Sequence, residues 1–251
     1  MRLRQIALIT NELEPVLDDL RAVLGLEVCF RDPGVAEFGL HNALLPIGTS
    51  FLEVLAPVKE GTTAGRLLQR RGGDGGYMVI VQTDDLEAGR KRVAELGIRV
   101  VWEAKLSDAA TIHLHPRDVG AAIVSLDWMR EPESWRWAGP EWRKHVRTDV
   151  TRALAGAEVQ SDDPATLAAR WGRIFARPAV AKADGSFEIA LDQGRLRFVR
   201  DTDGRGEGVS GIDVAVVDKR GVLARAAERR LPVSGDTVEI CGTRIRLVSE
   251  A

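Results

Sequence analysis

The sequence is nearly empty of cysteine and holds a single tyrosine, Tyr77. Its two cysteines, Cys29 and Cys241, lie far apart and form no CxxC pair. That excludes a disulfide scaffold and a cysteine-rich zinc module. Both read as small buried hydrophobes of a reducing compartment. Long apolar runs are missing too, and none approaches the ~20 residues that a membrane-spanning helix needs. The opening stretch MRLRQIALITNELEP has neither the apolar region nor the cleavage signal of a secretory leader. A cytoplasmic location is therefore expected. There is no excess of one charge. The net charge is −2, and basic clusters such as Arg229-Arg230 stand beside acids such as Glu228. A nucleic-acid partner needs a basic surface, so none is expected. Several chemical signatures are also absent: a Ser-His-Asp order with an elbow, HExxH, and a Rossmann fingerprint. Hydrolase, metalloprotease, dinucleotide and zinc-ribbon functions therefore lack a basis. What remains is an ordinary globular composition, 45% hydrophobic and 29% charged, able to bury a core.

What is present is a repeat. Residues 3–10, LRQIALIT, read as a strand. A helix over roughly 12–24 follows, with Leu13, Val16, Leu17, Leu20, Val23 and Leu24 at helical spacing. Gly25 is placed to end it. Strands are predicted around 26–31, 36–46 and 50–56. The order βαβββ then recurs, with a strand at 77–83, a helix near 85–96 opened by Asp84-Asp85, and strands near 98–103, 110–115 and 121–127. It recurs twice more in worn form. The third copy has a strand at 153–160, the cap signal Ser161-Asp162-Asp163-Pro164, a helix near 164–176, and strands at 187–190 and 196–199. The fourth has a strand at 212–217, a helix at 220–229, and short strands near 231–233, 237–240 and 243–248. Four such modules in a row make an internal repeat.

Two connections stand out. Residues 67–76, LLQRRGGDGG, lack the Gly-Lys-Ser/Thr ending of a phosphate-binding loop and precede a strand rather than a helix. They read as a flexible connection whose Arg70 and Arg71 could meet an anionic substrate. Residues 127–150 hold Trp128, Trp135, Trp137 and Trp142, four of the six tryptophans. A linker of this kind packs on something, either a domain interface or the rim of a pocket.

Among the polar residues, Glu53 is the strongest catalytic candidate. It sits in the apolar run Phe51-Leu52-Glu53-Val54-Leu55. A carboxylate buried there must be paired, ligated or protonated, and burial raises its pKa toward the range of a general base. His41 and Asn42 form a second polar pair, beside a glycine. His113 and His115 sit two apart, so on a strand they point the same way. If the turn after them centres near Asp118–Val119, His113 lies across from Ser125; a shift of one residue would put it on the opposite face. One of the two histidines could instead cap the turn.

The strand–Asp-Asp–helix joins (Thr83-Asp84-Asp85-Leu86, Ser161-Asp162-Asp163-Pro164 and, weakly, Val217-Asp218-Lys219) and the segment His115-Pro116-Arg117-Asp118-Val119-Gly120 resemble the vicinal oxygen chelate superfamily. That superfamily includes glyoxalase I, extradiol dioxygenases, bleomycin-resistance proteins and methylmalonyl-CoA epimerase. The likeness is clear over residues 1–128 and faint over 150–250. It implies an α+β fold in which four βαβββ modules pair into two glyoxalase-like, cup-shaped domains. The N-terminal domain would span 1–128, a Trp/Pro-rich linker 129–150, and a diverged C-terminal domain 151–251.

The resemblance also implies a divalent metal in the cup, held from the first and last strand of each module. In the first two modules those positions fall on Gln5, Glu53, Met78 and Ser125. Glu53 and Gln5 suit a hard ion, the Met78 thioether does not, and Ser125 is a weak neutral donor. With His113 facing Ser125, a non-standard set of Gln5, Glu53 and His113 would be left. In the last two modules the positions fall near Gly156, Phe198, Ile212 and Arg246, and no metal is expected there. Two functions follow. One is binding of a small molecule in the N-terminal cup without the standard metal site. Gln5, His41, Asn42, Tyr77, Met78, His115 and Ser125 would line that cup, and Glu53 and His113 would carry any chemistry. The alternative is a metal-dependent lyase, isomerase or dioxygenase acting on a small carbonyl or carboxylate compound. The expected cofactor is accordingly none, or a divalent metal. The expected partner is a small molecule, not a membrane, with a homo-oligomer left open.

Overall fold

The structure is a computed structural model and describes residues 1–249. Strand β1 (Arg2–Ile9) leads into helix α1 (Leu13–Leu24), then β2 (Leu40–Ile47) and β3 (Ser50–Pro57). Helix α2 (Thr63–Arg71) precedes β4 (Gly75–Gln82), α3 (Leu86–Glu95), β5 (Val100–Lys105), β6 (Ala109–Leu114), the single turn α4 (Pro116–Val119) and β7 (Ile123–Met129). The third module has β8 (Thr151–Ser161), α5 (Pro164–Phe175), β9 (Ala179–Ala181), β10 (Phe187–Ala190) and β11 (Arg195–Arg200). The fourth has β12 (Gly208–Val216), α6 (Lys219–Glu228), β13 (Val233–Ser234), β14 (Thr237–Ile240) and β15 (Thr243–Val248). The strands fall into two sheets, one of seven and one of eight. This is the mixed α+β architecture that the pattern predicts.

Two local expectations fail. Residues 26–31 form no strand; Phe30 makes a single bridge to Leu44. Asp32-Pro33-Gly34 ends the run, because proline lacks an N–H and fixes φ. Pro33–Phe38 form a 3-10 turn instead, closed by Gly39 at φ 71°. The supposed flexible connection begins as helix α2. The Thr62 side chain accepts from the Gly65 N–H at its start, and Gly72 closes it at φ 69°. Arg71 is buried in its last turn.

The Asp-Asp joins do what their chemistry requires. Asp85 accepts from the Ala88 N–H at 2.9 Å, and Asp163 from the Thr166 N–H at 3.0 Å. Each satisfies a donor that the helix cannot satisfy itself. Replacing Asp85 with alanine should cost about 1 kcal/mol in urea unfolding, with the slope of the transition unchanged.

The chain packs as two compact units, neither contiguous in sequence. The first takes Met1–Arg4, Met78–Arg136 and Gly156–Val209; the second takes Gln5–Tyr77, Trp137–Ala155 and the stretch from Ser210. In the first unit β4 runs parallel to β7, and β6 lies antiparallel between β7 and β5. Its other sheet segment has β11 parallel to β8 and antiparallel to β10. Helix α5 lays Trp171 edge-on against Phe198, with ring centroids 5.4 Å apart. Helices α3 and α5 meet, and Arg92 donates to the Ile174 carbonyl at 3.3 Å. In the second unit β3 lies between parallel β1 and antiparallel β2. β15 lies likewise between β12 and β14. Helices α1 and α6 meet, Arg225 donates to the Val23 carbonyl at 3.1 Å, and Arg229 pairs with Asp19 at 2.6 Å. Each unit thus joins one early module to one late module.

Candidate functional site

In the second unit, period-two alternation sets the polar face. Gln5 pairs with Phe51 and Ala7 with Glu53 across β1 and β3. Leu44 faces Glu53 across the β2–β3 hairpin, so Asn42, two residues back, shares that face. Three polar side chains meet there. Gln5 Nε2 donates to Glu53 Oε2 at 2.8 Å, and Asn42 Nδ2 donates to Glu53 Oε1 at 2.6 Å. Glu53 is 7% exposed, Gln5 and Asn42 2% each. The orientation of Asn42 is fixed from behind, because its Oδ1 accepts the Asp32 N–H at 2.8 Å. With its oxygen engaged, its NH₂ must face the carboxylate.

Burial pushes the Glu53 carboxyl up to about 7, against the two amide donors that pull it down; the charge of Asp32 adds to the rise. Tyr77 is half-buried. Its phenol is pushed up to about 12, first by burial and then by the Glu53 charge, with Arg66 acting the other way. His41 pairs with Ala56, so it occupies the opposite face from Glu53, and it is exposed. Arg66 and Lys59 line an open cleft of about 870 Å³ along α2, which Arg70 and Arg71 do not.

Part of the tryptophan-rich linker closes over this face. Trp142 meets Phe51 edge-on, with ring centroids 5.0 Å apart, and is 5% exposed. The strap is pinned by Cys29 Sγ to the Ala138 carbonyl and by His145 and Arg147 to Glu27, at 2.7 and 2.5 Å. Trp135 lies in the first unit instead, under the Arg4 guanidinium at 5.2 Å.

The first unit carries the other half of the candidates. The β6–β7 register sets His113 across from Ser125, and β5 sets Trp102 across from His113. Met78 and Ile80 share this face, because Ile80 pairs with Ser125 in β4–β7. Ser125 is fully buried. It shares a 2.9 Å hydrogen bond with Thr111 and donates to Asp127 Oδ1 at 2.5 Å. His113 lies against Trp102, with ring centroids 4.7 Å apart, and burial pushes its imidazole down to about 4. It is therefore neutral at pH 7. His115 has left the strand, which ends at Leu114, and its Nδ1 accepts the Arg117 N–H as the cap of α4. It does not share a strand face with His113.

The donor chemistry does not fit a hard divalent ion. Gln5 and Asn42 turn N–H donors toward Glu53, where a metal ligand would present a carbonyl oxygen. Met78 is a thioether, and Ser125 is held by Thr111 and Asp127. Among the described residues no group of three or more His, Cys, Asp or Glu side chains is placed to hold a metal. The sequence reading missed Thr111, Asp127 and Asp32, and placed Trp142 only within a segment expected to pack at a domain interface or a pocket rim. Thr111 and Asp127 lie two residues from His113 and Ser125, so strand alternation alone could have found them. Asp32 and Trp142 reach their partners through loops, which carry no period.

A family model described as a glyoxalase-like domain matches residues 6–175 of the chain. An ethylmalonyl-CoA/methylmalonyl-CoA epimerase of Cereibacter sphaeroides is 25% identical over 130 residues, which is 50% of this chain and 96% of that protein. A hypothetical protein from Staphylococcus aureus superposes with a TM-score of 0.69 at 14% identity, covering 99% of both chains. A mutant of 4-hydroxymandelate synthase from Streptomyces coelicolor gives the same TM-score and identity over 92% of this chain and 75% of that one. The two structures share the fold.

Proposed function

Because the chain belongs to the glyoxalase-like domain family, within the vicinal oxygen chelate superfamily, we propose that it binds a small molecule through the sheet face carrying Gln5, Asn42 and Glu53, without the metal set usual in that superfamily. The observation that supports this most is the way Glu53 is held. Its carboxyl is 7% exposed, clamped by two amide donors, and titrates near neutrality. Such a group accepts a hydrogen bond when ionised and donates one when protonated. A carbonyl or carboxylate oxygen is the ligand chemistry that suits the protonated form. Moving a proton at that oxygen, or at the carbon beside it, is the reaction the group would support. Glu53 is 7% exposed, so entry of a ligand requires neighbouring groups to shift.

The relative from Cereibacter sphaeroides is named for coenzyme A thioesters, so methylmalonyl-CoA and simple carboxylates are the first probes. Titration of chelator-treated protein should show binding that weakens about tenfold in Glu53→Gln, the size of one lost hydrogen bond to a charged group. Binding that appears only after Mn, Ni, Zn or Fe(II) is restored would overturn this reading in favour of a metal-dependent lyase, isomerase or dioxygenase.

A further inference from the structure

We infer that Asn42 is a positioning residue that ties the hydrogen bonding of Glu53 to the seating of the Pro33–Phe38 turn. The turn has no buried residue. Its N-terminal end is held by Asp32, whose side chain accepts the Gly34 N–H at 2.8 Å and whose backbone N–H goes to Asn42 Oδ1. Its other end is held where the Val58 N–H meets the Gly39 carbonyl at 2.9 Å. A side-chain amide has one oxygen and one NH₂, on opposite sides. While the Asp32 N–H occupies the oxygen, only donors can face Glu53, and donors favour its ionised form. When the turn lifts, the oxygen loses its partner. The amide can then rotate by half a turn and accept a hydrogen bond from a protonated Glu53.

The groups acting on Glu53 are Gln5 from β1, Asn42 from β2, Asp32 at the head of the turn, and Tyr77 at the start of β4. Asn42 bonds both to the turn and to the carboxyl group. A ligand that displaces the turn would thereby make Glu53 the better proton acceptor at the moment of arrival. This consequence for ligands rests on the proposed reading of Glu53 as the ligand-facing group. The coupling itself needs no ligand.

The test is a ¹³C-carboxyl NMR titration of Glu53 in the full chain. Asp32 has φ −81°, at the edge of the range of proline. Asp32→Pro therefore removes the N–H that orients Asn42, while Asp32→Asn removes the same charge and keeps the N–H. Glu53 should titrate about one pH unit higher in Asp32→Pro than in Asp32→Asn. Coincident curves would overturn the coupling. A second pair stands if the proline variant does not fold. Asn42→Asp can still accept the Asp32 N–H but cannot donate to Glu53 when ionised, and Asn42→Ala can do neither. Both should raise the Glu53 titration, but only Asn42→Ala should speed hydrogen exchange at the Asp32 amide. Equal exchange in the two, or an unmoved titration in Asn42→Asp, would also overturn it. Neither readout depends on ligand binding, so failure of the binding proposal would leave this result interpretable.

Discussion

Glu53→Gln and His113→Gln should tilt the stability of the protein against pH in opposite directions, each by up to about 3 kcal/mol. Glu53 titrates at about 7 in the fold, above the 4.5 of a free glutamate, because burial disfavours its charge. The fold holds that proton more tightly than the unfolded chain does. Its contribution is full below pH 4.5 and is lost as pH rises through 7. His113 titrates at about 4, below the 6.5 of a free imidazole, because burial disfavours its charge too. Here the unfolded chain holds the proton more tightly, so the contribution is full above pH 6.5 and is lost as pH falls through 4. Over the shared window the two slopes cancel, and the wild-type contribution of this pair should be nearly flat. Glu53→Gln leaves the histidine slope, and stability should rise with pH. His113→Gln leaves the glutamate slope, and stability should fall. Urea unfolding of the three proteins at matched pH values gives the differences, in which carboxylates common to all of them drop out. Three parallel profiles would show that neither group is perturbed by the fold.

Arg246→Met should destabilise the protein by about 3–5 kcal/mol, while Asp213→Ala should cost far less. The Arg246 guanidinium makes two hydrogen bonds to the Asp213 carboxylate, at 2.8 and 2.7 Å across β12 and β15. The Asp213 side chain is 0% exposed and that of Arg246 is 38% exposed. Removing the arginine takes two charge-assisted hydrogen bonds from a buried carboxylate. Removing the aspartate leaves a guanidinium that can turn to water. The double variant Asp213→Leu/Arg246→Met should recover most of the loss, because apolar packing can replace a buried pair. Chemical denaturation of all three variants checks it. Equal costs for the two single changes would mean that exposure does not govern the pair.

The modules were legible because their signals are local. The Asp-Asp caps, the helical stripe of α1 and the two-residue period of β6 and β7 need only a few neighbouring residues. The pairing of His113 with Ser125 was one of two registers that the turn left open, and the β6–β7 ladder adopts it. Residues 26–31 misled because an apolar run that borders Pro33 looks like a strand until partners are counted. Helix α2 was hidden by the glycines that follow it, although Thr62 and Gly72 mark its ends. The hold of Asn42 on Glu53 was within reach, since Leu44 and Glu53 face each other across a two-residue turn. The cover of Trp142 over Phe51 was not. It joins residues of different modules through a linker with no period, and only tertiary packing decides where such a ring rests.

The interleaved units have a consequence for how the protein is made. All parts of the first unit have been synthesised by Val209. The second unit still lacks α6 and β15 at that point. Arg225, which bonds the end of α1, lies 202 residues beyond Val23. At ribosomal speeds of roughly 5–20 residues per second, α1 waits on the order of 10 to 40 seconds for its partner helix. Contacts this distant in sequence are also slow to form once both ends exist. The nascent chain therefore carries an unfinished Glu53 unit beside a first unit that already has all its parts, and the interval in which chaperones can bind it falls on the part that holds the candidate site.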